Sequence, residues 1–427
     1  MDAILLRQVC VVDPVSPWHL KNCDILVRKG IIEAIDLQLP DVENASIVEM
    51  TGLCVSPGWV DLLCYCGEPG FEERETLDSL SRAAIAGGFV HLLLMPDNQP
   101  MPDNEPAVRA LCEASQTLPV YVHVAACLTQ NAEGLQMSEM LSLREAGAAA
   151  FSDGLRTVRD PARFTSMLEY ASQINIPVIH RPGTPELEEG LWAAEGPQAV
   201  AAGLKGVPEH AETLGLFRDV TLARYTGARL HLQPLSGAQS LQLWKNLKET
   251  APRVTLGTTA PYLFFHDPRP EAFDPLMLLC PPLRGPQHAE ALRQACSEGL
   301  IYTIASGHQP LNAEIKDHEP DLARPGMETL ETAFAMAYTA LADRLPLEKL
   351  ISMLTYNPAH VLGLNIPSVA PGQTASLTLF NPLVEWIVQA EDLYSRSRNT
   401  PLIGSRLRGK PLGIIAKGRL HLNKKFS

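Results

Sequence analysis

The sequence predicts an α/β protein: a (β/α)8 barrel of the TIM type with a small β-sandwich domain built from both termini. Eight short apolar strand candidates in the middle of the chain alternate with helical segments, which is typical of parallel strands joined by crossover helices. Both ends of the chain carry short strand candidates separated by turns. We therefore expect a composite β domain from residues 1–56 and 366–427, and a barrel domain from residues 57–365.

The terminal segments show the strand pattern most directly. Up to about residue 56 the chain contains three apolar runs, two of them joined at a Lys29-Gly30 turn, and the last sixty residues repeat the pattern around a Lys417-Gly418 turn. The chain has 427 residues. An α/β barrel alone can take roughly 250 residues, which leaves room for a single small domain. One β domain made from both ends is the simplest arrangement.

The barrel strands are predicted from eight apolar segments, and eight is the number needed to close a barrel. They are Val60 to Tyr65, Val90 to Met95, Val120 to Ala126, Ala148 to Asp153, Ile176 to Arg181, Arg229 to Leu235, Arg253 to Thr259 and Ile301 to Gly307. An amphipathic helix is predicted where apolar residues recur at helical spacing between residues 330 and 341. The segments 182–208 and 268–275 are predicted to be loops.

Composition and charge exclude several classes of protein. Hydrophobic residues make up 46% and charged residues 19% of the chain, as in ordinary globular proteins. There is no apolar run near the roughly 18 residues of a membrane helix, and no signal-peptide pattern at the start. Nine scattered cysteines favour reduced thiols, so we expect a cytoplasmic protein without a membrane partner. A net charge of -13 argues against a nucleic-acid partner.

The first barrel strand carries the most informative motif. Residues 61–70 read DLLCYCGEPG, which resembles the Asp-x-His-x-His-x-Arg-Glu-Pro-Gly signature of dihydroorotases, a family of the amidohydrolase superfamily. The resemblance covers nearly the whole chain. Its other anchors are Pro57-Gly58, Phe71-Glu72, Pro281-Pro282-Leu283-Arg284, Asn357-Pro358-Ala359 and the segment 395–401, SRSRNTP. The resemblance implies the barrel and the composite terminal domain predicted above.

The working residues of that family are replaced in this sequence. Leu63 and Tyr65 stand where the family has two metal-binding histidines, and Gly67 stands where its arginine pairs with the substrate carboxylate. Residues two apart on a strand point the same way, so the two histidines of the family can bind one metal. The other replaced positions implied by the resemblance are Asp97, Pro234, Pro261, Cys280 and Gly307.

Two family ligand positions keep a residue that could bind metal. Asp153 matches the metal-bridging aspartate at the end of strand four, and His180 matches the histidine at the end of strand five, where Arg181 follows it. His231 and His308 are out of phase with the lost ligand positions, so strand alternation places them on the opposite face. A catalytic zinc usually takes three protein ligands. We therefore expect no cofactor and no zinc, with Asp153 and His180 as vestigial ligand candidates.

The resemblance leads to two hypotheses about function. The first is a catalytically inactive dihydroorotase homologue, a pseudoenzyme without catalytic residues, which assembles with the aspartate transcarbamoylase catalytic chain in pyrimidine biosynthesis. It implies a homodimer of this chain within a larger hetero-oligomer. The alternative is an active dihydroorotase or cyclic amidohydrolase with a rebuilt metal site, in which metal-activated water attacks a ring amide.

Overall fold

The computed structural model describes residues 3–191, 193–267, 274–316 and 323–423. Its strands are β1 (Ile4–Val11), β2 (Asn22–Arg28), β3 (Ile31–Asp36), β4 (Ser46–Glu49), β5 (Cys54–Pro57), β6 (Trp59–Cys64), β7 (Phe89–Leu94), β8 (Tyr121–Ala126), β9 (Ala148–Phe151), β10 (Val178–His180), β11 (Ala193–Ala194), β12 (Gly206–Val207), β13 (Leu230–Leu232), β14 (Val254–Thr259), β15 (Thr303–Ala305), β16 (Leu377–Ile387), β17 (Arg406–Ala416) and β18 (Arg419–Leu422). Its helices are α1 (Leu77–Gly87), α2 (Glu105–Ser115), α3 (Met140–Glu145), α4 (Pro161–Gln173), α5 (Pro185–Glu188), α6 (Pro197–Ala201), α7 (His210–Thr226), α8 (Ala238–Leu247), α9 (Ala260–Phe264), α10 (Pro286–Ser297), α11 (Ala313–Lys316), α12 (Ala333–Leu341), α13 (Leu347–Leu354) and α14 (Tyr356–Leu362).

The central sheet is parallel and runs in the order β6, β7, β8, β9, β10, β13, β14 and β15. Each strand overlaps one of the eight predicted segments, so the predicted barrel is confirmed. The predicted helix between residues 330 and 341 is also present, as α12. No helix among the described residues is long and apolar enough to cross a lipid bilayer.

The barrel closes through the carboxylate of Asp61 on the first strand. Its Oδ1 accepts the backbone N–H of Ser306, just past the last strand, at 2.8 Å, and its Oδ2 accepts the hydroxyl of the same serine. The backbone N–H of Tyr65 donates to the carbonyl of His308 at 2.9 Å. Asp61 is fully buried, and burial raises its pKa to about 6. The first and last strands are therefore held together by a buried polar contact.

Alternate residues of the barrel strands form two separate apolar layers. One layer is inside the barrel, where side chains from six strands meet: Leu63, Tyr65, Leu93, Met95, Ala125, Ala150, Ile179 and Ala305. The other layer packs beneath the helices and includes Cys64 and Cys66. Trp59 belongs to that second layer and lies against Phe334 of α12, with ring centroids 4.6 Å apart. In β7 the two layers follow the two-residue period of a strand, whereas in β6 a register shift between Asp61 and Cys64 puts both Leu62 and Leu63 in the interior layer.

The terminal domain contains strands from both ends of the chain. Its sheet runs β18, β17, β16, β5, β1, β2 and β3, with β4 paired to β1. Val55 of β5 pairs antiparallel with Leu379 of β16, and both are buried in the domain's own core. The two predicted Lys-Gly turns connect β2 to β3 and β17 to β18. This sheet agrees with the predicted composite domain, while the exact boundaries at residues 56, 57, 365 and 366 stay a prediction.

One of the two segments predicted to be loops contains regular secondary structure. The segment 182–208 contains the short helices α5 and α6 and a two-stranded parallel sheet of β11 and β12. These elements are too short to leave a periodic apolar pattern in the sequence, since a strand is usually recognised from a run of 4 to about 8 residues. Of the segment 268–275, residues 268–273 lie outside the described residues.

A buried acidic cluster connects α1, α12 and the segment after β16. Glu331 accepts the backbone N–H groups of Tyr394 and Ser395 at 2.7 and 2.9 Å, and Glu75 accepts the hydroxyl of Ser395. Glu75 also lies 3.6 Å from Nε2 of His308. Burial is the main cause that raises the pKa of Glu331 to about 8; Glu75 acts in the same direction, while the N–H groups of Ser395 and Tyr394 and the charge of Arg398 oppose the shift.

We expect Asp61→Ala to lower the free energy of unfolding by about 2 to 4 kcal/mol, because the N–H and hydroxyl of Ser306 lose their buried partner. Urea unfolding followed by circular dichroism measures this loss. Ser306→Ala is the matched control, since it keeps the backbone N–H bond to Asp61 and should cost less. An Asp61→Ala chain as stable as the wild type would show that the contact does not close the barrel.

We also expect the stability of the chain to fall as the pH rises from about 4.5 to about 8, the window between the ordinary pKa of Glu331 and its folded pKa. Its folded pKa of about 8 lies above the ordinary 4.5, so the folded state binds the proton more tightly than the unfolded state and loses this advantage as the pH rises. Glu331→Gln should flatten the decline between about pH 5 and about pH 8. Urea unfolding at both pH values tests this, with the exposed Glu385→Gln as control; equal slopes for all three chains would contradict it.

Candidate active site at the barrel mouth

The mouth of the barrel is filled by the side chains that replace the family's metal ligands. Leu63 and Tyr65 are 3% and 4% exposed and point into the barrel interior. The ring of Tyr65 reaches the loop after β9, where its hydroxyl lies beside Gly154. Burial raises the pKa of the Tyr65 hydroxyl, so this phenol stays neutral. Apolar and neutral bulk therefore occupies the centre of the mouth.

Gly67 and Gly307 are fixed by their backbone surroundings. A Cβ atom on Gly67 would lie 1.9 Å from the carbonyl oxygen of Phe71, so the loop after β6 has no room for any side chain at this position. Gly307 has a φ angle of 71°, which favours glycine, and a Cβ there would lie 3.0 Å from Cβ of Thr259. Gly67 accepts no larger residue without movement of the backbone, and a larger residue at Gly307 would be strained by its φ angle and by its contact with the Thr259 side chain.

Asp153 is close to the mouth, but both oxygens of its carboxylate already accept hydrogen bonds. Oδ1 accepts the backbone N–H of Thr129 at 2.9 Å and Oδ2 accepts the hydroxyl of Thr129 at 2.6 Å. Burial raises the pKa of Asp153, and these hydrogen bonds oppose the shift. Asp153 therefore connects the loops after β8 and β9.

His180 faces away from the barrel interior. Its ring lies 4.5 Å from Phe164 of α4, its Nδ1 is 2.9 Å from Oδ2 of Asp219 on α7, and its Nε2 accepts the N–H of Val158 at 3.2 Å. The preceding Ile179 points inward instead. Because both ring nitrogens have partners, the structure does not bring His180 together with Asp153 as a ligand pair.

The remaining replaced positions have separate surroundings. Asp97 lies 3.3 Å from Arg74, and burial raises its pKa. Pro234 follows the interior residue Gln233, and Pro261 is buried in α9. Cys280 is the one that lines a cavity, described below. Besides burial, Asp97 and Cys280 are both near enough to Tyr65 to raise the pKa of its hydroxyl.

The zinc that the resemblance implies can be tested against these side chains. Among residues 3–191, 193–267, 274–316 and 323–423, no group of three or more His, Cys, Asp or Glu side chains could hold a metal ion. Asp153 and His180 are each hydrogen-bonded elsewhere. This part of the chain does not fit a three-ligand zinc site, so no catalytic step is assigned to a metal.

A cavity of about 590 Å³ opens beside the filled centre of the mouth, and it is lined by residues that follow β8, β9, β10 and β15. Its volume is that of a site for a small ligand. The lining residues with charged or hydrogen-bonding side chains include Arg156, Arg159, Arg181, Glu188, Cys280 and Gln309. The carboxyl ends of barrel strands are where active sites of this fold lie, which makes this cavity the candidate site.

Arg181 is the buried cation of the cavity. Its side chain is 6% exposed, its Nε donates to the carbonyl of Leu155 at 2.5 Å, and its guanidinium pairs with Glu188 at 2.6 Å. Burial opposes the charge, but the nearby Cys280 and Glu188 outweigh it and raise the pKa of Arg181. The sequence identified Arg181 as a cation next to a ligand position. It gave no signal for Arg156, Arg159 and Gln309, because loop residues carry no period.

Comparisons with known proteins point to enzymes of cyclic amides. A dihydroorotase of Carboxydothermus hydrogenoformans is 34% identical over 416 residues, which cover 95% of this chain and 96% of that protein. A dihydroorotase of Pelobacter propionicus is 34% identical over 421 residues, covering 98% and 99%. The L-hydantoinase (dihydropyrimidinase) of Arthrobacter aurescens has the same fold, with a TM-score of 0.84 at 21% identity over 98% of this chain and 96% of that one.

These relatives overturn two expectations. The expectation that the chain is a pseudoenzyme is wrong, because proteins similar over its whole length are named dihydroorotases and its structural neighbours are named hydantoinases. The expectation that it needs no zinc is wrong for the same reason, since such enzymes are typically zinc-dependent amidohydrolases. Both expectations weighed single positions, such as Leu63 and Tyr65, above the similarity of the entire chain.

The family is established by the extent of the match. The model of the amidohydrolase family matches residues 57–420, which contain all eight barrel strands and most of the C-terminal β strands. The relatives above match over nearly the whole chain at more than 30% identity. The chain belongs to the amidohydrolase family.

Proposed function

We propose that the chain is a cyclic amidohydrolase of the dihydroorotase type, which binds its substrate in the cavity beside the barrel mouth. The observation that carries this proposal is a buried arginine, Arg181, in a cavity at the carboxyl ends of the strands. A dihydropyrimidine with a ring carboxylate needs such a cation. The full-length similarity to dihydroorotases supports the same substrate class.

The cavity provides separate contacts for the ring and for the carboxylate. Leu155, Leu279 and Pro281 supply apolar surface for the faces of a small ring. The planar guanidinium of Arg181 can bind a carboxylate through two parallel hydrogen bonds. In the structure the guanidinium of Arg181 is paired with Glu188. A substrate carboxylate would replace the Glu188 carboxylate, so the buried charge of Arg181 stays paired.

The position of this cation explains the loss of the arginine at Gly67. The loop after β6 excludes every side chain there, because the carbonyl oxygen of Phe71 occupies the space of a Cβ atom. Asp97 adds a carboxylate on that side of the mouth, paired with Arg74. Because Asp97 engages the guanidinium of Arg74 on that side, a substrate anion is attracted instead towards Arg181 after β10.

We expect the chain to hydrolyse L-dihydroorotate, and Arg181→Gln to raise KM at least about tenfold with a smaller change in kcat, since the lost contact serves binding. A spectrophotometric assay at the ultraviolet absorbance of the ring measures both constants. Arg144→Gln, an exposed arginine on α3, is the matched control. Absence of turnover, both with and without added zinc, would refute the proposed activity, and an unchanged KM in Arg181→Gln would refute the proposed contact.

A second proposal concerns assembly with the aspartate transcarbamoylase catalytic chain. The feature that supports it is an apolar stripe on α7, formed by Leu214, Phe217 and Tyr225, which are 53%, 52% and 77% exposed. These positions lie close to one helix face at spacings of three and eight residues. Large apolar side chains grouped on a surface mark protein contacts. In this proposal two copies of the chain join catalytic chains in one hetero-oligomer.

We expect co-expression with the aspartate transcarbamoylase catalytic chain of the same organism to give one complex in size-exclusion chromatography with light scattering. Leu214→Glu with Phe217→Glu should abolish the complex, because charged groups replace the apolar centre of the contact. Leu37→Glu, at an exposed apolar position in the terminal domain, is the control and should leave it intact. The proposal fails if the wild-type chains elute separately, and the stripe is excluded if the double variant still assembles.

A further inference from the structure

A second cavity lies at the opposite end of the barrel, where the strands begin. It has a volume of about 220 Å³ and is lined at the starts of β13 and β14 and at the end of α14. A shallower depression of about 710 Å³ adjoins it and shares Arg229, Arg253 and His360. The whole length of the barrel separates this cavity from the candidate active site.

The strand register places its two arginines side by side. Leu230 of β13 pairs with Val254 of β14, and the N–H of Leu230 donates to the carbonyl of Arg253 at 3.1 Å. Arg229 and Arg253 directly precede those paired residues. Two residues further along, His231 pairs with Thr255 and bonds to it at 2.8 Å. Because strand side chains alternate, Arg229 lies on the same face of β13 as His231, and Arg253 lies on the same face of β14 as Thr255.

The cavity is cationic and contains no carboxylate among its described lining residues. Arg229, Arg253 and His360 line it, with Asn175 and Asn365 at the edge of the depression. The chain as a whole carries a net charge of -13, so acidic residues are abundant elsewhere. Burial lowers the pKa of Arg229, and the charge of Arg253 lowers it further. Two adjacent guanidinium groups thus repel each other without an anion between them.

The nearby carboxylate of Asp13 does not neutralise this pair. It lies behind Tyr356, whose hydroxyl donates to it at 2.9 Å. The backbone N–H groups of Val15 and Val369 complete its hydrogen bonds at 3.0 and 2.8 Å. Asp13 is fully buried and serves the contact between the terminal domain and α14.

Both arginines have a structural role that uses only part of each guanidinium. Nη2 of Arg229 donates to the carbonyls of His360 and Val361 at the end of α14, at 3.0 and 2.8 Å. Nη1 of Arg253 donates to the carbonyl of Gly227 after α7 at 2.8 Å. A guanidinium has five N–H donors, so each arginine keeps donors for a further acceptor. His360 bonds to Tyr302 through Nδ1, which leaves Nε2 for the cavity.

We propose that this cavity binds the phosphoryl group of a small metabolite, held between Arg229 and Arg253 with His360 as a third contact. Tetrahedral phosphate oxygens suit two forked guanidinium groups better than any neutral ligand does. The adjoining depression accommodates the rest of an ester. Inorganic phosphate and a nucleoside monophosphate share the required chemistry, and the test distinguishes between them.

Isothermal titration calorimetry of the full chain with inorganic phosphate, uridine 5′-monophosphate and uridine tests the proposal. We expect phosphate and the nucleotide to bind at one site per chain, and uridine not to bind. Arg229→Gln with Arg253→Gln should weaken binding at least about tenfold. A nucleotide that binds more tightly than phosphate identifies an ester as the ligand, whereas equal affinities identify the free anion.

Two further variants keep the test independent of folding and of the barrel mouth. His360→Gln leaves the backbone carbonyls that bond Arg229 in place, so it should keep the wild-type melting temperature and still weaken phosphate binding. Arg181→Gln should bind phosphate as the wild type does, because Arg181 lies at the other end of the barrel. Absence of phosphate binding at millimolar concentration would overturn the proposal, as would undiminished binding by the double arginine variant or loss of binding only in Arg181→Gln.

Discussion

The contact between Asp61 and Ser306 determines the geometry of the barrel mouth. The barrel sheet is continuous from β6 to β15, and this carboxylate joins its first strand to its last through the backbone as well as the hydroxyl of Ser306. The same contact fixes the height of β6 relative to the last strand. The inward direction of Leu63 and Tyr65, and the position of the loop that carries Gly67, follow from that register.

The sequence was sufficient for the fold because the fold depends on patterns that recur along the chain. Eight apolar segments separated by helices predicted the barrel, and the matching strand patterns at both ends predicted the terminal sheet, in which Val55 pairs with Leu379 across more than 300 residues of sequence. The elements between residues 182 and 208 could not be predicted, since a two-residue strand has no period to recognise.

The site was predicted less completely, for physical reasons that differ from residue to residue. The shared direction of Leu63 and Tyr65 followed from strand alternation, which is a local property. The direction of His180 did not, because its partner Asp219 comes from a helix 39 residues further along the chain. The cavity around Arg181 is formed by loops whose relative positions only the folded barrel defines. The expectation of inactivity failed because it weighed single replaced positions above the similarity of the entire chain to dihydroorotases.

The crowding at Gly67 has a consequence for how this chain can change. A side chain at this position would meet the carbonyl oxygen of Phe71, which is part of the main chain and cannot rotate aside. No single substitution can therefore return an arginine to position 67; the loop from 67 to 71 would have to change its path first. Single substitutions at position 67 are therefore closed to this chain, so changes at its barrel mouth have to begin at other residues.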